Sequence, residues 1–176
     1  MWIFAAYELL RTWRERVKDI KKWHENGGLL LKAKELGKEK DYLHLGRKQM
    51  EKRLRTIAKN PASITPMLDD LKRTHMLFAR IEFIRVVLAK HQEPGKRKVA
   101  AHAAGYARIN KWCGSLEYQM ELNGVVLGTI SRRDIADALR GLHQRSNVPT
   151  DDDIAEFDRF MTAPLNENWP PNTGGI

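Results

Sequence analysis

The stretch "MLFARIEFIRVVLA", residues 76–89, decides the fold of this chain. Eleven of its fourteen residues are apolar, and they cover nearly the whole circumference of a helix. A helix that is apolar on all sides is stable in water only when other elements cover it. We therefore predict a buried helix at the centre of a mainly α-helical bundle.

An amphipathic helix is predicted before it, over residues 2–24. Apolar residues recur there at steps of three and four, whereas Arg11, Arg14, Lys18 and Lys22 lie elsewhere on the helical wheel. The apolar stripe consists of Ile3, Tyr7, Leu10, Trp13, Val17 and Ile20. "NGG" at 26–28 predicts the end of this helix, because glycine readily takes up the backbone conformation that ends a helix.

Residues 29–59 have an apolar residue at every seventh position. This spacing is typical of two helices packed along a seam. The seam residues are Leu29, Leu36, Leu43, Met50 and Ile57, supported by Ala33 and Leu54. Gly37 favours a break near residues 37–41, so we predict a helical hairpin with a basic outer face. "NPASITP" at 60–66 predicts a loop, and Thr65-Pro66 the start of the next helix.

After the central helix the apolar period changes from three or four to two. "SLEYQMELNGVVLGTIS", residues 115–131, has two alternating runs around Asn-Gly, which is typical of a β-hairpin. Pairing across a two-residue turn predicts Leu122 opposite Val125 and Met120 opposite Leu127. A lone hairpin is marginal in water, so we expect it to pack on helices or to pair with another chain.

Two capping boxes predict two short C-terminal helices, one beginning after Ser131 with Asp134 and one after Thr150 with Asp153. The last residues, 162–176, contain proline and glycine and predict an irregular tail. The length of 176 residues fits one domain, which we place over residues 1–161.

The composition indicates a folded protein of a reducing compartment. The chain is 42% hydrophobic and has five tryptophans, enough for a packed core. Cys113 is the only cysteine, and beside Trp112 we expect it to be a packed residue. The apolar run before Arg11 is too short for a membrane span and has no basic segment before it, so we expect a cytoplasmic protein.

The net charge of +9 comes from the first third of the chain. Residues 11–59 contain 16 lysines and arginines against 7 acidic residues. Such an excess attracts an acidic partner, so RNA or DNA binding is the first interpretation. A solvated basic face that only keeps the protein soluble is its alternative. The predicted binding residues are Arg47, Lys48, Lys52 and Arg55, with Lys96, Arg97 and Lys98 in a later loop.

Motifs of several enzyme classes are absent from the sequence. It contains no glycine-rich phosphate loop, no GxSxG and no HExxH, and its six histidines and one cysteine match no zinc-ligand spacing. We therefore expect no metal and no cofactor.

Arginine precedes histidine by six residues at Arg85 and His91 and by five residues at Arg97 and His102. A helical bundle with Arg-x4–6-His near a helix end resembles the HEPN family. The resemblance implies a homodimer and metal-independent RNA cleavage of the defence or toxin type. In that reading an arginine stabilises the phosphate and a histidine transfers the proton.

Two questions stay open at this stage. Glu82 and Arg85 are three residues apart on the central helix, so Arg85 either pairs with Glu82 or faces a substrate cleft. A non-catalytic protein-interaction subunit, with the hairpin or the heptad seam as its surface, is the third hypothesis for function.

Overall fold

The computed structural model describes residues 2–38, 44–89, 99–102, 108–122, 125–144 and 147–162. These ranges form helices α1 (Trp2–Glu25), α2 (Leu29–Gly37), α3 (Leu45–Lys59), α4 (Thr65–Arg73), α5 (His75–Ala89), α6 (Arg132–Arg140) and α7 (Asp151–Thr162). The strands are β1 (Val99–His102), β2 (Arg108–Ile109), β3 (Leu116–Leu122) and β4 (Val125–Ser131). The predicted fold class, mainly α-helical with one β-hairpin and two short C-terminal helices, is confirmed.

The chain divides into two compact units. One comprises Glu8–Arg73, and the other comprises Met1–Tyr7 with Thr74–Ile176. The single domain over residues 1–161 stays a prediction. Residues 163–176 of the predicted tail lie outside the described residues.

The core of the unit Glu8–Arg73 is the predicted seam between α2 and α3. Its buried residues are Ile20, Leu29, Ala33, Leu54, Ile57 and Ile64, with Leu36 and Met50 packed against them. Leu43 lies outside the described residues. Gly37 ends α2, as the predicted break requires, and α3 begins at Leu45. Burial of one apolar face on this seam leaves the other face of α3 in water.

Two details of this unit differ from the sequence-based expectations. The segment predicted as a loop contains a 3-10 turn, Pro61–Ile64, because Ile64 is anchored in the core and is only 4% exposed. Arg14, which lies off the apolar stripe of α1, is buried at 4% exposure. Its guanidinium donates a hydrogen bond to the carbonyl oxygen of Leu71 at 2.8 Å.

The other unit contains the buried helix and the sheet. Leu77, Ile81, Phe83 and Ile84 of α5 are buried, as predicted for the central helix. Strand β3 is the middle strand of an antiparallel sheet: β4 pairs along one edge, and β1 and β2 pair with successive parts of the other. The hairpin is therefore stabilised by strands β1 and β2. Neither strand was predicted, because residues 99–109 are weakly patterned.

The register of the hairpin is partly as predicted. Leu122 lies opposite Val125. Met120, however, lies opposite Gly128 and not Leu127, because a β-bulge inserts one extra residue into β4. Gly128 has φ +142°, a value that residues with a side chain rarely adopt, which explains why the bulge falls at a glycine.

Both predicted capping boxes form. The Ser131 hydroxyl accepts a hydrogen bond from the Asp134 amide, and the Asp134 carboxylate accepts one from the Ser131 amide. Thr150 and Asp153 exchange the same pair of hydrogen bonds before α7. These caps satisfy amide groups that an α-helix leaves unpaired in its first turn.

The expectation that Cys113 is a packed residue is wrong. Cys113 is exposed, and Trp112 beside it is 97% exposed. Both lie in the turn between β2 and β3, where their backbone amides donate hydrogen bonds to the side-chain oxygen of Asn110.

Candidate nucleic-acid interface

Helix α3 has an apolar face and a basic face. Leu54 and Ile57 are buried in the seam with α2, at 0% and 2% exposure. Six of the fifteen residues of α3 are lysine or arginine, and its one acidic residue is Glu51. Because the apolar residues fix the rotation of the helix, the basic residues are held in water.

Four cations lie in one line along this exposed face. They are separated by four, three and four residues, a spacing that places side chains on the same side of a helix. We call this line the basic stripe, and it consists of Lys48, Lys52, Arg55 and Lys59. The stripe is about 16 Å long at 1.5 Å per residue. Together with Glu51 and Thr56 it lines an open groove of about 420 Å³.

Glu51 holds Arg55 in place within the stripe. Its Oε1 atom accepts hydrogen bonds from Nε of Arg55 at 2.9 Å and from Nη2 at 2.8 Å. The same carboxylate lies against the end of α2, where a Cβ atom on Gly37 would be 3.0 Å from Oε1. A glycine at position 37 therefore leaves room for the carboxylate that orients Arg55.

The three lysines of the stripe have no carboxylate partner among the residues that the structure describes. Some cations elsewhere in the same unit do have one. Arg11 pairs with Glu8 and Glu15, both at 2.9 Å, Lys21 pairs with Glu25 at 3.7 Å, and Lys32 pairs with Glu35 at 2.9 Å.

The pKa values at these other pairs shift in the direction that pairing predicts. The hydrogen bond from Lys32 lowers the pKa of the Glu35 carboxyl. The hydrogen bond to Glu8, together with the charge of Glu15, raises the pKa of Arg11. These side chains are 38–59% exposed, so the pairs indicate local neutralisation of charge and not a large contribution to stability.

The predicted binding residues fall into two groups. Arg47, Lys48, Lys52 and Arg55 are exposed residues of α3, and the last three belong to the stripe. Lys96, Arg97 and Lys98 lie outside the described residues. Lys59 also belongs to the stripe but was missing from the sequence-based prediction, although it continues the spacing of the other three.

Trp13 and Trp23 are the tryptophans among the charges of residues 11–59, and neither is fully exposed. Trp13 is partly buried, and Trp23 packs against the core. The ammonium group of Lys32 lies 5.7 Å from the centre of the Trp23 ring. The exposed tryptophan at position 112, in the other unit, was not predicted.

Arg85, the arginine of the first Arg-x4–6-His match, lies on the ring of Tyr7. Its guanidinium carbon is 4.4 Å from the ring centre, within the range of a cation–π interaction. Tyr7 also stacks on Phe78, with ring centres 5.2 Å apart, and its hydroxyl donates a hydrogen bond to Glu82 Oε1 at 3.1 Å. Glu82 and Arg85 thus both contact Tyr7, which joins the start of α1 to α5.

Of the other three residues in the two Arg-x4–6-His matches, the structure describes only His102. His91 and Arg97 lie outside the described residues, and His102 ends β1, opposite Gln119. The described part of helix α5 runs from His75 to Ala89 and includes Arg85. The catalytic role of these four residues stays a prediction.

Searches for other kinds of site and for similar proteins gave three findings. Among the described residues, no group of three or more His, Cys, Asp or Glu side chains is arranged to hold a metal ion. Within the same ranges, no helix is both long enough and apolar enough to cross a membrane. No family model, curated protein or solved structure matches the chain.

Proposed function

We propose that this protein binds nucleic acid through the basic stripe of α3. The observation that carries the proposal is the imbalance of charge on this helix: three exposed lysines without a carboxylate partner among the described residues, and one arginine oriented by Glu51. The apolar seam behind them holds α3 in one orientation, so the four cations face the same side.

The stripe matches the chemistry of a phosphate backbone. One strand of B-form DNA carries a phosphate about every 3.4 Å along the axis, so a length of about 16 Å spans roughly five phosphates. Lysine contacts phosphate as a point charge, whereas the planar guanidinium of Arg55 can donate two hydrogen bonds. Contacts of this kind are independent of base sequence, so we expect binding with little sequence preference.

Solubility alone accounts less well for the stripe. A surface that serves solubility carries both signs interspersed, as in the paired cations of α1 and α2. Lys48 and Lys52 are instead four residues apart, as are Arg55 and Lys59, and like charges at this spacing repel by a few tenths of a kcal/mol. Bound phosphates would neutralise this repulsion.

The test is a comparison of two triple variants with the same loss of charge. Lys48→Gln, Lys52→Gln and Lys59→Gln together remove the unpaired lysines. Arg11→Gln, Lys21→Gln and Lys32→Gln remove three cations of the same unit that already have carboxylate partners. Affinity for a fluorescent 20-nucleotide RNA and a DNA of the same sequence is measured by anisotropy at 0.15 M salt.

We expect the stripe variant to bind roughly 50-fold more weakly, since each phosphate contact contributes about fourfold at this salt concentration. The control should change affinity by less than about threefold. Equal losses in both variants would show that only total charge matters. If the wild type binds neither nucleic acid, the proposal is wrong, and co-purification of a protein partner unaffected by nuclease would favour an interaction subunit.

A metal-independent ribonuclease is our second proposal. It is supported by the spacing in the sequence, where Arg85 precedes His91 by six residues and Arg97 precedes His102 by five. Its test is RNA cleavage in EDTA by the wild type and by His91→Ala, His102→Ala and the double variant. Loss of cleavage in a single variant identifies the catalytic histidine, whereas unchanged cleavage in all three contradicts this assignment.

A further inference from the structure

The turn between β2 and β3, residues 110–115, has a well-defined backbone. The amide of Asn110 donates to the Ser115 carbonyl at 2.9 Å, and the amide of Gly114 donates to the Asn110 carbonyl at 2.8 Å. The side-chain oxygen of Asn110 accepts hydrogen bonds from the amides of Trp112 and Cys113. Gly114 has φ +67°, in the left-handed region that favours glycine.

This turn presents apolar side chains to water. Trp112 at its tip is 97% exposed. Ile109 and Leu116 are directly opposite each other on β2 and β3, and they are 67% and 49% exposed. Tryptophan is usually well buried in a folded protein, so an almost fully exposed indole on a fixed turn indicates a contact with something else.

The charges around the turn favour an anionic partner. Lys111 is exposed and has no carboxylate partner in the described part of the chain. Arg108 is 72% exposed, and its Nε atom lies 2.9 Å from Glu117 Oε2. Glu117 is only 13% exposed and also accepts a hydrogen bond from the Asn110 amide group, so its negative charge is largely screened from the surface.

The apolar surface of the turn is small. Three side chains provide much less than the roughly 800 Å² that each partner contributes to a stable protein–protein interface. A single indole has the size and flatness of one nucleobase. Base–aromatic stacking is worth about 1–3 kcal/mol per base, and it requires a base that is not paired in a duplex.

We infer that Trp112 stacks on an unpaired base of a single-stranded nucleic acid, with Lys111 near the adjoining phosphate. This inference rests on the proposed function and narrows it, because it makes single-stranded RNA or DNA the preferred partner. The basic stripe supplies a contact that depends on salt, and Trp112 supplies one that depends on the base.

The experiment measures binding of Trp112→Ala and Trp112→Phe to a 20-nucleotide single strand and to the duplex of the same sequence, in both RNA and DNA. Trp2→Ala is the matched control, because Trp2 is another exposed tryptophan of the same unit, at 42%. The thermal midpoint and far-UV circular dichroism of each variant are measured first. Trp112 has little packing to lose, so we expect them to be unchanged.

Trp112→Ala should weaken single-strand binding at least about fivefold, the lower limit for loss of one stacked base. Phenylalanine should restore most of the affinity, and duplex binding should change less than twofold. The slope of affinity against salt should stay the same, since stacking releases no counterions.

An equal effect on single strands and duplexes, or no effect on either, would overturn the inference. If the stripe variant loses binding while Trp112→Ala retains it, the proposed function stands and this inference is wrong. If the wild type binds no nucleic acid, both are wrong. Vesicles containing phosphatidylserine form a separate arm: Trp112-dependent binding to vesicles, without an effect on single strands, would assign the turn to membrane contact instead.

Discussion

Arg14 shows how one buried cation connects two helices of the unit Glu8–Arg73. Its side chain is 4% exposed, and its guanidinium donates to the Leu71 carbonyl at 2.8 Å. Leu71 lies in the last turn of α4, at the end where the helix dipole is negative. A positive donor at this place interacts favourably with the helix end.

We predict that Arg14→Met lowers the free energy of unfolding by about 1–3 kcal/mol, the usual contribution of a hydrogen bond from a charged group. Methionine keeps an unbranched chain of similar length, so the main loss is the hydrogen bond and not the packing. Urea unfolding followed by circular dichroism measures the change. Arg16→Met is the control, since Arg16 is an exposed arginine of the same helix. Equal stabilities of the two variants would contradict this role for Arg14.

At the residue scale, the apolar positions could be predicted from the sequence, whereas several polar or exceptional positions could not. The seam residues of α2 and α3 repeat every seven positions, and this period is visible without coordinates. The acceptor for Arg14 is a backbone carbonyl 57 residues away, which no local pattern indicates. The exposure of Trp112 was also not predicted, because a tryptophan beside a cysteine was expected to lie in the core. Trp112 is instead in a turn that is held by hydrogen bonds to the Asn110 side chain, and this turn is visible only in the structure.

The same limit applies to the Arg-x4–6-His spacing. A chain with 16 arginines and six histidines produces such spacings by chance, so the motif alone could not decide between catalysis and packing. The structure places Arg85 on Tyr7, a contact with a residue 78 positions earlier in the chain.

At the scale of elements, helix starts were the most predictable feature. Ser131 with Asp134 and Thr150 with Asp153 form capping boxes whose partners are three residues apart, so the sequence contains the whole interaction. The sheet was less predictable. Strands β1 and β2 are short and weakly patterned. Their pairing with β3 is not indicated by any local sequence pattern. The β-bulge near Met120 was not predicted either, because the alternation of apolar and polar residues was read as a regular ladder without an extra residue.

The cap of α7 predicts a dependence of stability on pH. The Thr150 hydroxyl and amide donate to the Asp153 carboxylate at 2.7 and 2.8 Å, and these hydrogen bonds lower its pKa below the ordinary 3.8. A lowered pKa in the folded state means that the ionised form is stabilised by folding. The contribution is therefore full above pH 3.8 and is lost as the pH falls through the folded-state pKa.

Asp153→Asn tests this prediction. We expect the stability difference between wild type and variant to be constant at pH 5–7, values above that ordinary pKa, and to shrink as the pH falls below 3.8. Thermal unfolding at a series of pH values measures it. Asp152→Asn removes the same charge from the same turn but leaves the cap with Thr150 intact, so it should show a weaker trend. Identical trends would assign the effect to the helix dipole.

At the scale of the whole molecule, the positive charge and the candidate contacts are unevenly distributed. The excess of +9 comes from residues 11–59, and the structure places six of those cations on the one helix α3. Composition predicted this excess. It could not show that Arg11 and Lys32 have carboxylate partners, whereas the lysines of the stripe have none among the described residues, since pairing depends on side-chain geometry.

The salt dependence of binding tests the central claim most directly. The logarithm of the association constant for a single-stranded RNA is measured against the logarithm of salt concentration, for the wild type and for the variant with glutamine at positions 48, 52 and 59. Each lost phosphate contact lowers the slope by about 0.7, so we predict a slope smaller by about 2 in the variant. Slopes that do not differ would contradict binding through the basic stripe.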